Sequence, residues 1–147
     1  MTVFNSIKTC FKKYIDFNGR ASRSEYWFFI WFFALVWIGL LFIGEYWDDS
    51  NYFYELSDNL YSLLNYLIYG LIYGFPLICL IPLISVTIRR IHDIGHSGFI
   101  ICGFALGIFF GFILESEIIL RIIVIIFGVF LLQKSSGKNK FGPVPKK

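Results

Sequence analysis

The stretch Tyr26-Trp27-Phe28-Phe29-Ile30-Trp31-Phe32-Phe33-Ala34-Leu35-Val36-Trp37-Ile38-Gly39-Leu40-Leu41-Phe42-Ile43-Gly44 runs for nineteen residues without a charge. The twenty-one residues from Trp27 to Trp47, at ~1.5 Å rise each, cover about the ~30 Å hydrocarbon thickness of a bilayer. Trp27 and Trp47 stand where amphipathic rings favour the membrane–water boundary. We read a transmembrane helix over 23–47. Ser22 and Glu25, three apart just before the run, match the capping box, in which each side chain satisfies an orphan backbone donor at a helix start. A 25-residue basic segment precedes the run, and no A-x-A-like cleavage site ends it; the sequence therefore reads as a retained anchor.

Moving outward, residues 45–62 hold Glu45, Asp48, Asp49, Glu55 and Asp58 with no Lys or Arg. A second apolar run supports a span over 62–91. Pro76 and Pro82 within it remove backbone donors and should kink or tilt it. Gly95 suits the left-handed turn that ends many helices. A third run gives a span over 98–114, and a fourth, over 118–133, contains Arg121. An Arg at a helix centre costs up to ~3.5 kcal/mol on the insertion scale, whereas the thirteen Ile, Leu, Val and Phe residues from 118 to 132 return about 6 kcal/mol at ~0.5 each. Insertion wins, with Arg121 near the end of the run, where it can snorkel or pair with Glu117 one turn back.

The charges orient this arrangement. Twelve of the thirteen basic residues precede the first run, follow the second or lie in the tail from 134 to 147, while seven acids occupy the opposite connections. That is the positive-inside bias, and it predicts cytoplasmic N- and C-termini. The expected fold is a single all-α, polytopic membrane domain over 1–147 with four transmembrane helices. An amphipathic helix over 3–16 precedes them, with Val3, Phe4, Ile7, Phe11, Tyr14 and Ile15 on one arc and Lys8, Thr9, Lys12 and Asp16 opposite. Two placements fit it: flat in the membrane surface, or packed on the cytoplasmic ends of the bundle.

The composition, 57% hydrophobic and 16% charged, excludes an ordinary soluble domain. No basic block resembles a nucleic-acid footprint. Cys10, Cys79 and Cys102 lack metal-site or disulfide spacing. Between helices in lipid, small residues mark close contacts. Gly103, Gly107 and Gly111 form such a stripe on the third span, and Gly70 and Gly74 on the second. The simplest reading joins those two spans within one chain, although a seam in a homo-oligomer would look identical.

Three polar segments fall at the predicted cytoplasmic face. They are Phe17-Asn18-Gly19-Arg20-Ala21-Ser22-Arg23-Ser24-Glu25-Tyr26-Trp27, Arg89-Arg90-Ile91-His92-Asp93-Ile94-Gly95-His96-Ser97-Gly98-Phe99, and Asn139-Lys140-Phe141-Gly142-Pro143-Val144-Pro145. In order and content they resemble the signature of the bacterial inner-membrane family of domain of unknown function 805, which includes the YhaH-like proteins. That family pattern reads F-x-G-R-x-S-R-x-E-[YF]-W, then R-R-[LI]-H-D-x-G-x-S-G-[WF], then N-x-[FY]-G-x-x-P. His96 stands where relatives often carry Arg or Lys, and Lys138 where a Pro is common. The resemblance implies a multi-pass protein of the bacterial inner membrane and implies no activity.

Chemically, Arg20, Arg23, Glu25, Arg89, Arg90, His92, Asp93 and Asn139 form the candidate polar layer. Guanidinium forks match phosphate oxygens, so the layer could bind anionic lipid headgroups. Alternatively, Arg20 or Arg89 pairs with Glu25 or Asp93 simply to join helix ends. His92 and His96, four apart, lack a third ligand beyond Asp93, and Gly95 between them argues for a loop, so no metal site is expected. Ser97 beside His96 does not make a nucleophile–base pair in a cleft. The expected role is a non-enzymatic accessory protein without a cofactor, binding lipids, a membrane-protein partner or another copy of itself. The alternative is a small transporter or channel subunit, against which stands the lack of ionisable residues at the midplane of the runs.

Overall fold

The computed structural model describes residues 2–49 and 58–145. Glu55 in the acidic connection and Lys146 and Lys147 in the tail lie outside them. Five α-helices make up the regular structure of the described residues: α1 (Val3–Lys12), α2 (Arg23–Asp49), α3 (Asp58–Ile94), α4 (Ile100–Ile113) and α5 (Glu117–Leu131). Two are long and apolar enough to cross a bilayer, over Arg23–Trp47 and Leu60–Ile94, whereas α4 and α5 are shorter than the expected spans. The most apolar windows of the long helices are only 11% and 28% buried. They are therefore not the core helices of a soluble domain.

Local chemistry explains the boundaries. α2 starts after Ser22, whose Oγ accepts from the Glu25 backbone N–H at 3.1 Å. This is half of the expected capping box, because the Glu25 carboxylate is turned away to Arg89. α3 ends in a Schellman turn: Gly95 has φ +101°, its N–H donates to His92 O, and the His96 N–H donates to Ile91 O. Ser116 caps α5 through the Ile119 N–H. Arg121 pairs with Glu117 at 2.7 Å on an exposed face, one turn apart as expected.

α2 and α3 form an antiparallel pair held by aromatic stacking along their length, with Trp47 on Tyr61 at 5.8 Å and Phe33 on Phe75 at 5.6 Å. α4 and α5 form a second hairpin, where Phe104 meets Phe127 at 4.4 Å.

The glycine stripes do not join α3 to α4. A Cβ on Gly107 would lie 3.2 Å from Ile123, and one on Gly111 2.7 Å from Leu120, both on α5; Gly70, Gly74 and Gly103 have nothing within 4 Å. The short connection Leu114–Ser116 turns the chain directly from α4 back onto α5, whereas a longer one, residues 95–99, separates α3 from α4.

The amphipathic helix is shorter than 3–16 and rotated from the expected arc. Ser6 and Cys10, one turn apart, are its fully buried residues, and Phe11 packs edge-on against Phe29 at 5.5 Å. Phe4, at 73% exposed, together with Val3 and Ile15, stays outside. Small Ser6 and Cys10 let the helix backbone approach its neighbours, whereas the bulkier arc could not all fit there.

Both prolines lie inside α3, which continues through them. Pro82 has no N–H to give to Ile78 O four residues back, and the Tyr14 hydroxyl takes that carbonyl instead. Ser85 Oγ lies 3.0 Å from Lys13 O and 2.7 Å from Asp16 O. The segment after α1 is thus tied to α3 near both ends of its proline turn.

Charge and apolar surface are distributed unlike those of a water-soluble fold. Arg89, Arg90 and Asp93 are among the fully buried side chains, while Leu35, Phe42, Leu77 and Phe112 are each about two-thirds exposed.

Candidate functional site: a buried arginine layer

The C-terminal turn of α3 supplies Arg89, Arg90, His92 and Asp93, and the residues before and within the first turn of α2 supply Arg20, Arg23 and Glu25. The chain after α5 closes over them. Asp93 is the hub. A carboxylate in the last turn of a helix opposes the helix dipole, and a buried one needs partners to remain charged.

Asp93 has those partners. Arg20 Nε donates to its Oδ1 at 2.9 Å and Arg20 Nη2 lies 2.8 Å from the same oxygen. Arg90 Nη1 and Ser135 Oγ both donate to Oδ2.

Arg20 then spends its other donors on backbone. Nη1 reaches Gly137 O at 2.9 Å and Gly142 O at 3.1 Å, and Nη2 reaches Ser136 O at 2.7 Å and Asp93 O at 3.2 Å. Every side of this guanidinium is occupied. Arg90 reaches the end of α5, where Nε donates to Leu131 O at 3.1 Å and Nη2 donates to Gln133 O. Those carbonyls lie at and just past the last turn of α5, at its negative dipole end, which favours a cation there.

Arg89 points to a different side of α3. Its Nη1 donates to Glu25 Oε1 at 2.6 Å, both side chains being nearly or fully buried, and its backbone carbonyl accepts from the Ala21 N–H at 3.0 Å. Arg89 Nε and Nη2 have no partner among the described residues. Cys10 of α1 lies beside this pair, and burial, with the Glu25 carboxylate adding, pushes its thiol up to about 12. The thiolate needed for reaction is thereby suppressed.

The tail is locked separately. Asn139 Nδ2 donates to His92 O at 2.9 Å and to Ser136 Oγ at 2.7 Å, and its Oδ1 accepts from the Phe141 N–H. The Phe141 ring lies flat on His92 at 3.9 Å, with Lys140 Nζ 5.0 Å from the Phe141 ring centre. His96 instead neighbours Phe130, so the two histidines do not converge. No group of three or more His, Cys, Asp or Glu suited to a metal occurs among the described residues.

Seven of the eight candidate residues, Arg20, Glu25, Arg89, Arg90, His92, Asp93 and Asn139, are drawn into this layer. Arg23 sits at its edge. Its Nε donates to Gln133 O at 3.1 Å in an exposed setting, and it lines a cavity of about 600 Å³ with Ser22, Ser24, Lys134, Ser135, Val144 and Pro145.

Sequence reasoning missed Ser135, Ser136 and the carbonyls of residues 131–142, because a backbone acceptor has no signature in residue type. It also missed Cys10 and Tyr14 as partners of the layer and of α3. The missing N–H of Pro82 could have pointed to the need for a donor such as Tyr14.

The family profile described as "Protein of unknown function (DUF805)" matches residues 14–143. The chain is similar to the "Inner membrane protein YhaI" of Escherichia coli strain K12, with 29% identity over 135 residues that cover 92% of this chain and 90% of that protein. The protein of the same name in Escherichia coli O157:H7 matches with the same figures. No solved structure matches the chain.

Proposed function

This chain belongs to the DUF805 family, whose members are of unknown function, and from that premise we propose that it is a non-enzymatic, multi-pass protein of the bacterial inner membrane. Both ends face the cytoplasm, and the arginine layer is a rigid plate at that face which presents exposed cations to lipid headgroups. The observation that carries the reading is where charge and apolar surface lie: Arg89, Arg90 and Asp93 are fully buried beside the small apolar core, while many large apolar side chains line the exterior. A soluble monomer rarely exposes so large an apolar surface, whereas in a bilayer that surface costs nothing. The name of the similar Escherichia coli protein supports the same placement.

Four crossings fit the charges and the hairpin pairing. α4 and α5 have 14 and 15 residues, a length of only ~21–23 Å at ~1.5 Å per residue. That hairpin is short of the ~30 Å hydrocarbon layer, so the bilayer thins around it or its tip is drawn inward. The Glu117–Arg121 pair at the tip lowers the cost of either. The arginines split into two roles. Arg20, Arg89 and Arg90 join helix ends and tail, and Arg23 with Lys134 of the tail meets the headgroups.

The test is topological. Cysteines introduced at Asn51, Ser116 and Val144 are probed with a membrane-impermeant maleimide on intact spheroplasts, against the wild-type background. Positions 51 and 116 are expected to label from outside, and position 144 only after permeabilisation. Labelling of 51 and 144 from the same side, or recovery of the protein in the soluble fraction after a carbonate wash, overturns the proposal.

A further inference from the structure

The layer holds more positive than negative charge, and its excess comes to the surface at one place. Arg20, Arg89 and Arg90 face Asp93 and Glu25. Arg23 and Lys134 face no carboxylate: the residues lining the 600 Å³ cavity, Ser22, Arg23, Ser24, Lys134, Ser135, Val144 and Pro145, include no acid. Neither cation takes part in an ion pair among the described residues.

Arg23 is also positioned. Its Nε is anchored on Gln133 O, the carbonyl that Arg90 shares. That contact holds the guanidinium against the tail and leaves both Nη groups without a partner among the described residues. Ser22 and Ser24 hydroxyls lie 3.1 Å apart on the same wall, and Ser135 lines the other side. A planar fork, an ammonium and the one hydroxyl proton that the Ser22–Ser24 pair leaves free, around one open cavity, are the complement of a tetrahedral oxyanion. The start of α2 beside them adds a partial positive charge, but the two uncompensated cations are what the argument rests on.

We propose that this cavity binds a phosphate-type anion, with Arg23 as the bidentate donor, Lys134 as the second cation and the hydroxyl proton that the Ser22–Ser24 pair leaves free as a further donor. The anion is either the headgroup phosphate of a lipid or free phosphate. Lipid as the source rests on the cytoplasmic placement proposed above, whereas binding of the anion itself does not.

The full chain is purified in detergent and examined by native mass spectrometry with phosphatidic acid, phosphatidylglycerol or phosphatidylcholine, and separately with inorganic phosphate. Arg23→Gln/Lys134→Gln is expected to lower occupancy by the anionic probe about tenfold, the equivalent of ~1.4 kcal/mol. Lys8→Gln/Lys12→Gln on α1 removes the same charge and is expected to leave occupancy within about twofold. Arg23→Lys keeps the charge but loses the fork, and is expected to fall between.

An unchanged melting temperature for these variants separates lost binding from lost fold, and Arg23→Lys serves as the readout if the double variant does not fold. Binding of anionic lipid that excess phosphate does not displace assigns the lipid source. Binding of inorganic phosphate without preference for anionic lipid assigns the free ion. Equal occupancy by wild type and by both Arg23 variants, or equal loss in the α1 variant, overturns the site. Binding in detergent combined with a failed topology test refutes the placement and leaves the site standing.

Discussion

Asp93→Asn is the sharpest probe of the arginine layer. Asp93 is fully buried between two guanidiniums whose side chains are 2% and 0% exposed. Replacing it with the amide keeps the volume but removes the only carboxylate that faces Arg20 and Arg90 among the described residues. It also turns an N–H₂ group toward a donor, because Oδ1 accepts from Arg20 and Oδ2 from Arg90 and Ser135.

Breaking a buried pair by removing one partner costs about 3–5 kcal/mol. The backbone carbonyls that Arg20 and Arg90 retain hold this toward the lower figure. At roughly 2–4 °C per kcal/mol for a chain of this size, the melting temperature should fall by about 6–12 °C. Thermal unfolding of the detergent-solubilised protein measures this, with the buried Cys10 thiol as an independent reporter of opening through its rate of maleimide labelling. The double variant Asp93→Asn/Arg90→Gln should recover part of the loss, since it removes one of the two charges left uncompensated. A melting point within about 1 °C of wild type, with Cys10 labelling unchanged, would show the guanidiniums to be hydrated and the layer not to be a clamp.

Gly111→Leu should destabilise the α4–α5 hairpin by about 1–3 kcal/mol through overpacking, because its Cβ would stand 2.7 Å from Leu120, whereas Gly70→Leu, with nothing within 4 Å, should leave the melting profile unaltered. The reverse order would place the tight contact on α3. Tyr14→Phe strips the donor from Ile78 O, the carbonyl freed by Pro82; a loss of about 1–3 kcal/mol is expected, with faster hydrogen exchange in the middle of α3, and unchanged exchange there would sink the assignment. Gly95→Ala forces a Cβ into φ +101° and to 3.3 Å from Ser136 Oγ, so a cost of about 1–2 kcal/mol and easier proteolysis of the tail are expected. Equal protease resistance would show that the turn does not anchor the tail.

Much of this arrangement can be read from neighbouring residues. Ser22 announces the start of α2, Gly95 the end of α3, and Glu117 and Arg121 their mutual pairing, because each depends on atoms within a turn of helix. The three polar segments gather in one layer because antiparallel apolar helices leave their charged ends together. Pairing Arg20 with Asp93 and Arg89 with Glu25 also lay within what residue types allowed.

The glycine stripe marked a close contact but not its partner. A small side chain says that something approaches, and only the path of the chain determines that α5 does so.

From the sequence alone came the long uncharged helices, the imbalance of charge between their connections and the family signature, all properties that survive without knowing any distance. Tertiary structure alone decided that Arg20 and Arg90 are closed to ligands while Arg23 is open. The reason is that their partners are carbonyl oxygens of residues 131–142, groups every residue carries alike, whose position depends on where the folded tail puts them.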